Sequence, residues 1–261
     1  ALFRHDRHGR AGARAAGGSR PAAIAVFKNA LFQARALARS PGSYADQGKD
    51  ALLTRADAEA LEPVVTGKMP LLIHVERASD MMALIDLKKA MPQLRMVFVG
   101  ASEGWMVAAQ LAAAKVPVIA SALNDLPESF ESLAATQSNV GRMKAAGVVV
   151  GIGTINDNEA RQARLEKQYA GNLVALTKVP GATGLDWNAA FAAISSIPAE
   201  AVGLGGDIGS LRPGRAGDVV IWSGDPLELD TAALSVWIDG VKQPLATRQG
   251  QLLKRYLTPQ E

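Results

Sequence analysis

Cysteine is absent from all 261 positions. Disulfides and thiolate metal sites are therefore excluded, while the redox compartment stays open. Aromatic residues contribute only 5% of the chain. No basic stripe carries them at intervals, so nucleic acid is not expected as a partner. Apolar runs are short and none approaches the length of a membrane span, so no membrane contact is expected. No secretory signal is visible, although the chain begins at Ala1 rather than at Met. The first β-to-α turn shows no Gly-rich phosphate loop. Ser-His-Asp catalysis is read as lacking a Gly-x-Ser-x-Gly nucleophile elbow.

What is present is 48% hydrophobic residues at a net charge of +3, enough apolar surface for a sizeable core. The positive excess sits at the start, where Arg4, Arg7, Arg10, Arg14 and Arg20 face only Asp6. Residues 1–20 carry no apolar period and read as a mobile tail. From Ala22 to Ser40 the residues Ile24, Phe27, Leu31 and Ala34 recur at spacings of three and four, which predicts a helix stopped by Pro41-Gly42. Thr54 followed three residues later by Asp57 predicts the start of another helix, running to Leu61.

A repeating unit then sets in. Leu71 to Val75, Leu94 to Val99, Val116 to Ala120 and Gly147 to Ile152 are apolar runs. Helical patterns follow the first three: from a cap at Ser79-Asp80 to Ala90, from Trp105 to Lys115 and from Phe130 to Ala146. Strand, helix, strand at this spacing predicts parallel β/α units with strands buried on both faces. Four such strands make half of an eight-stranded barrel; an open doubly wound sheet uses the same units. Near the C-terminus, Gly209-Ser210-Leu211-Arg212-Pro213-Gly214 feeds Asp218-Val219-Val220-Ile221-Trp222, closed by Gly224-Asp225-Pro226-Leu227. Val236 to Gly240 reads as one more short strand with its turn.

That C-terminal stretch resembles the segment with which the amidohydrolase superfamily leaves its catalytic barrel and re-enters a small β-sandwich. The resemblance extends to Asn139, Met143, Ala146-Gly147-Val148 and Gly151-Ile152-Gly153-Thr154 as a last barrel helix and strand. It includes Gly184-Leu185, Ala189 to Ser195, Pro198-Ala199 and Gly203-Leu204 as exit helices. Its flavour is imidazolonepropionase-like. It implies an α/β fold: the C-terminal half of a TIM-type (β/α)8 barrel over residues 21–204, then a β-sandwich segment over residues 205–261. It further implies hydrolysis of non-peptide C–N bonds in cyclic or small amides, with zinc or another divalent metal as cofactor.

The resemblance also points to site residues. His74 stands where the fifth-strand ligand belongs; its other reading is a core histidine bonded to the backbone. Gly100 replaces the sixth-strand histidine, leaving Ser102 as a substrate contact and Glu103 as a substitute ligand or a helix cap. Ile155 replaces the aspartate after the last strand, so Asp157, two residues on, is either the candidate proton shuttle or a turn aspartate in the polar stretch Asn156-Asp157-Asn158. Asn124, beside Ser121 and Asp125 after the third run, and Arg161, with Arg164, are candidates for binding substrate. Turn chemistry and a solvated helix face are their other readings. His5 and His8, three apart, do not form a His-x-His pair on one strand face.

Two functions stay open: a hydrolase acting on a small-molecule substrate, and a non-catalytic barrel that keeps the fold for ligand binding or assembly. The departures at Gly100 and Ile155 favour the second. A half barrel leaves strand edges unpaired, so the missing N-terminal half, another chain or a second copy is expected to complete it. Related chains are often exported, which leans the compartment towards the periplasm.

Overall fold

The computed structural model describes residues 2–3, 18–42, 51–153 and 164–257. Its centre is a parallel sheet in which strands β1 (Leu2–Phe3), β2 (Leu71–Val75), β3 (Met96–Gly100), β4 (Val118–Ala120) and β5 (Val150–Ile152) lie in sequence order. Registers run Leu71 against Met96, Phe98 against Val118 and Val118 against Val150. The fold is α/β with a parallel sheet, as the apolar runs predicted. The first run coincides with β2. The strands of the other three begin two or three residues later than their runs, because those leading residues belong to the approach from the preceding helix, and β3 ends one residue further on, at Gly100.

Leu2 and Phe3 fall in the stretch read as a tail, yet they pair in parallel with Leu72 and Ile73. The first long helix, Arg20–Arg39, starts with Ser19 accepting from the Ala22 amide at 3.3 Å and buries Phe27, Leu31, Ala34 and Leu37. Thr54 and Asp57 form a reciprocal capping box at the head of helix Arg55–Ala60. Pro63 then opens the short helix Glu62–Val65.

Two helix expectations change. Ser79 and Asp80 do not cap the helix after β2; they lie within Ala78–Ala90, and Asp80 pairs with Arg20 at 2.9 Å. The helix expected from Phe130 spans only Asn139–Ala145. Upstream of it, side chains take the amides that a helix would use. Ser129 Oγ accepts from Glu131, Asp125 from Gln137 and Thr136 from Ser138. Phe130 is left exposed in a turn.

One apolar cluster runs from Phe27 through Ile73, Met81, Phe98, Leu111 and Met143 to Leu173 and Leu227. Leu227 belongs to the C-terminal segment and is held there by Gly171. A Cβ on Gly171 would run into the Leu227 carbonyl oxygen. Lys167 Nζ donates to the Glu228 carbonyl at 2.7 Å, and Trp187 Nε1 to Asp225 at 2.8 Å. Beyond this clasp, β6 (Val219–Trp222), β7 (Ala233–Ile238) and β8 (Val241–Gln243) form a three-stranded antiparallel sheet. Helix Arg248–Leu257 ends the described chain. No described helix is long and apolar enough to cross a membrane.

Candidate functional site

The carboxyl ends of β2 and β3 lie side by side, with Val75 opposite Gly100. His74 and Glu76 are two residues apart at the end of β2, so both side chains leave the same face. His74 Nε2 meets Glu76 Oε1 at 2.8 Å. Glu76 Oε2 accepts twice from Ser102, from its amide at 2.9 Å and its hydroxyl at 2.6 Å. The three residues make a nearly buried chain: imidazole, carboxylate, hydroxyl.

The backbone of β3 explains how Ser102 arrives there. Gly100 has φ +95° and Ala101 φ +50°, so the strand turns sharply at its end. The first of these conformations is one that glycine alone adopts freely. The turn is pinned by Ala101 N donating to the Val75 carbonyl at 2.7 Å and Glu103 N to the Glu76 carbonyl at 3.0 Å. Asn139, 4% exposed, ties the same turn from below. Its Oδ1 accepts from the Trp105 amide at 2.9 Å and its Nδ2 donates to the Ala101 carbonyl at 2.9 Å.

Gly100 also makes room. A Cβ at this position would lie 2.8 Å from the Glu76 carboxyl carbon and against its oxygens. The space above the end of β3 is filled by a carboxylate reaching across from β2. Burial pushes the Glu76 carboxyl up; the hydrogen bonds from His74 and from the Ser102 hydroxyl and amide outweigh it and hold the group below its ordinary value.

Glu103 is used as a cap. Its Oε2 accepts from the Ala78 amide at 3.0 Å, at the start of helix Ala78–Ala90, and its Oε1 from Ala134 at 3.3 Å. A carboxylate there satisfies an orphan amide and complements the helix dipole. The candidate ligand is therefore committed to two backbone amides. Ser102, expected to touch substrate, is 3% exposed and committed to Glu76. Asn124 lies half-buried in the loop after β4 and takes no part in the hydrogen bonds around Glu76. Asp157, Arg161 and Ile155 fall outside the described residues, as do His5 and His8.

Two features of this site were not among the residues expected from the sequence. Glu76 follows His74 as His-x-Glu at a strand end, a spacing that places both groups on one face. The stretch Gly100-Ala101-Ser102-Glu103-Gly104 also spells Gly-x-Ser-x-Gly after a strand, which corrects the expectation that no such motif exists. Its geometry differs from an activated nucleophile. The positive φ values fall on Gly100 and Ala101, and the Ser102 hydroxyl donates to a carboxylate rather than to an imidazole.

A divalent metal needs three or more converging donors. Among the described residues no group of three or more His, Asp, Glu or Cys side chains is arranged to hold one. His74 Nε2 and both Glu76 oxygens already serve each other and Ser102. The described residues do not fit the metal centre that the resemblance implied. Two clefts, of about 380 and 330 Å³, lie elsewhere against the outer helices, and neither is lined by His74, Glu76 or Ser102.

Parallel strands whose carboxyl ends gather a buried polar cluster define the α/β class in which sites sit at that end of the sheet. The chain belongs to the Amidohydrolase family, whose model matches residues 72–248. Among solved structures it is similar to an amidohydrolase from Thermotoga maritima, with a TM-score of 0.75 and 22% identity, over 92% of this chain and 61% of that one. A zinc-bound adenosine deaminase from Xanthomonas campestris aligns at a TM-score of 0.53 and 18% identity, over 84% and 59% of the two chains. Among characterised proteins, Amidohydrolase tasK from Hapsidospora irregularis is 40% identical over 60 residues, 23% of this chain and 6% of that protein. The chain thus spans about three fifths of the solved structures it resembles and a small part of that relative.

Proposed function

We propose that this chain is part of an amidohydrolase-type hydrolase that cleaves a non-peptide C–N bond in a cyclic or small amide. Family membership supports the reaction class. The observation that carries the site is the His74–Glu76–Ser102 chain at the carboxyl ends of two adjacent parallel strands. In this reading His74 is the group that works on the reacting bond, since an imidazole takes or gives a proton near neutral pH. Asn124 and, beyond the described residues, Arg161 and Asp157 are the candidates for holding substrate and moving its proton. The parallel sheet is part of a TIM-type barrel, and the antiparallel sheet part of a β-sandwich. Among the described residues β5 lies at the edge of the parallel sheet, and in this reading further strands, from elsewhere in the protein or from another chain, complete it.

A second reading, a barrel that binds ligand without turnover, is favoured by one observation. Glu76 occupies the space over Gly100 and engages His74. One experiment separates the two. Full-length protein is assayed against a panel of cyclic imides, lactams and acyl-amino acids, and its metal content is measured. Turnover lost in His74→Ala supports the hydrolase, and bound zinc lost in the same variant adds metal dependence. Absence of turnover across the panel, before and after added zinc, overturns the hydrolase and leaves the binding protein.

A further inference from the structure

Carboxylate oxygens accept hydrogen bonds, and two donors from Ser102 already converge on Glu76 Oε2. The 2.8 Å contact at Oε1 is then made by a proton on His74 Nε2. Which ring nitrogen of a histidine is free is set by the bond the other one makes. Nδ1 makes no hydrogen bond to a described residue. Ser102 is anchored in its turn, since the turn carrying it is fixed by Val75, Glu76 and Asn139. The orientation of the ring therefore traces back, through Glu76, to the bare position at Gly100 that admits the carboxylate.

We propose that Glu76, seated over Gly100 and held by Ser102, is a positioning residue that fixes His74 with its proton on Nε2 and offers Nδ1 as the working nitrogen. Any proton that His74 takes from a substrate or returns to it is exchanged at Nδ1. The arrangement uses a carboxylate to orient an imidazole, with a hydroxyl orienting the carboxylate. The role rests on the reading of His74 as the working group of the site. The test observes the ring rather than turnover, so the two fail separately.

The experiment is nitrogen-15 NMR of the histidine side chains in the intact chain at about pH 9, above the ordinary imidazole range. Only three histidines are present, and His74→Ala assigns the signal. The expected result is a ring with Nδ1 bare and a slowly exchanging proton on Nε2. In Glu76→Gln, which preserves the shape of the side chain, exchange of that proton quickens by about tenfold or more. Gly100→Ala, which displaces the carboxylate without altering either partner, has the same effect. A proton on Nδ1, a doubly protonated ring, or no protected ring proton in the unsubstituted chain overturns the proposal. So does a protected Nε2 proton unchanged in Glu76→Gln. The measurement on the unsubstituted chain stands even where a variant folds poorly.

Discussion

Glu76 stands over Gly100 so closely that the glycine cannot carry a side chain: a Cβ there would lie 2.8 Å from the Glu76 carboxyl carbon. One position on β3 is empty because a residue following β2 fills it. The two positions are coupled, and the coupling is measurable. Gly100→Ala is expected to destabilise the fold by about 1–3 kcal/mol, from crowding and from a backbone at φ +95°. In a Glu76→Ala background the crowding is gone and only the backbone cost remains. Denaturant titrations of the two single variants and the double variant should therefore be non-additive. Additivity within about 0.5 kcal/mol would show that the two residues do not contend for this space.

Glu103 ties three segments together: its own turn, the helix Ala78–Ala90 and the loop at Ala134. Glu103→Ala removes the partner of two amides and is expected to cost about 1–3 kcal/mol. Hydrogen exchange should quicken first at the Ala78 and Ala134 amides, before global opening. Unchanged protection at both amides would assign Glu103 another role.

How much of this could be read from the residues depends on the reach of each interaction. The capping box of Thr54 and Asp57 is legible because both partners lie within one turn. The strand Leu71–Val75 is legible because burial on both faces demands an unbroken apolar run. The seat of Glu76 is not, since Ser102 lies 26 residues away. The true cap of helix Ala78–Ala90 is hidden for the same reason: it comes from Glu103, 25 residues on. The stretch from Phe130 misleads differently. Its apolar spacing imitates a helix, but Phe130 and Leu133 face solvent while Ser129, Ser132 and Thr136 bind local backbone or one another. Gly100 reads as a loss in sequence and as a vacancy filled by Glu76 in three dimensions.

Gly171 is the point at which the C-terminal segment meets the helix Glu166–Ala175. Its missing side chain lets the Leu227 carbonyl approach the helix, and Leu227 itself is 5% exposed. Gly171→Ala is expected to force these apart at a cost of about 1–3 kcal/mol. The break should be local: Trp187 loses its Asp225 partner, so its fluorescence should shift towards that of a hydrated indole. Gly171→Ala with native stability and native Trp187 emission would show that the approach is not tight.

Acid should act on the fold through Glu76. The carboxyl is held below its ordinary 4.5 in the folded chain by His74 and Ser102, against the opposing pull of burial. A group whose folded value is depressed binds its proton less readily in the folded state than in the unfolded one. Stability from this source is therefore fully present above the unfolded value and drains away as pH falls through the folded one. Above about pH 6 the contribution is flat, because Glu76 is ionised in both states. Between about pH 4.5 and the folded value, the unfolded chain takes up the proton first and the difference narrows. Thermal melts of the unsubstituted chain and of Glu76→Gln across this range should converge as pH is lowered. Gln cannot titrate, so its own curve lacks this component of the decline. Parallel curves that keep the same separation from neutral pH down to acid would mean that Glu76 is not held ionised by its neighbours.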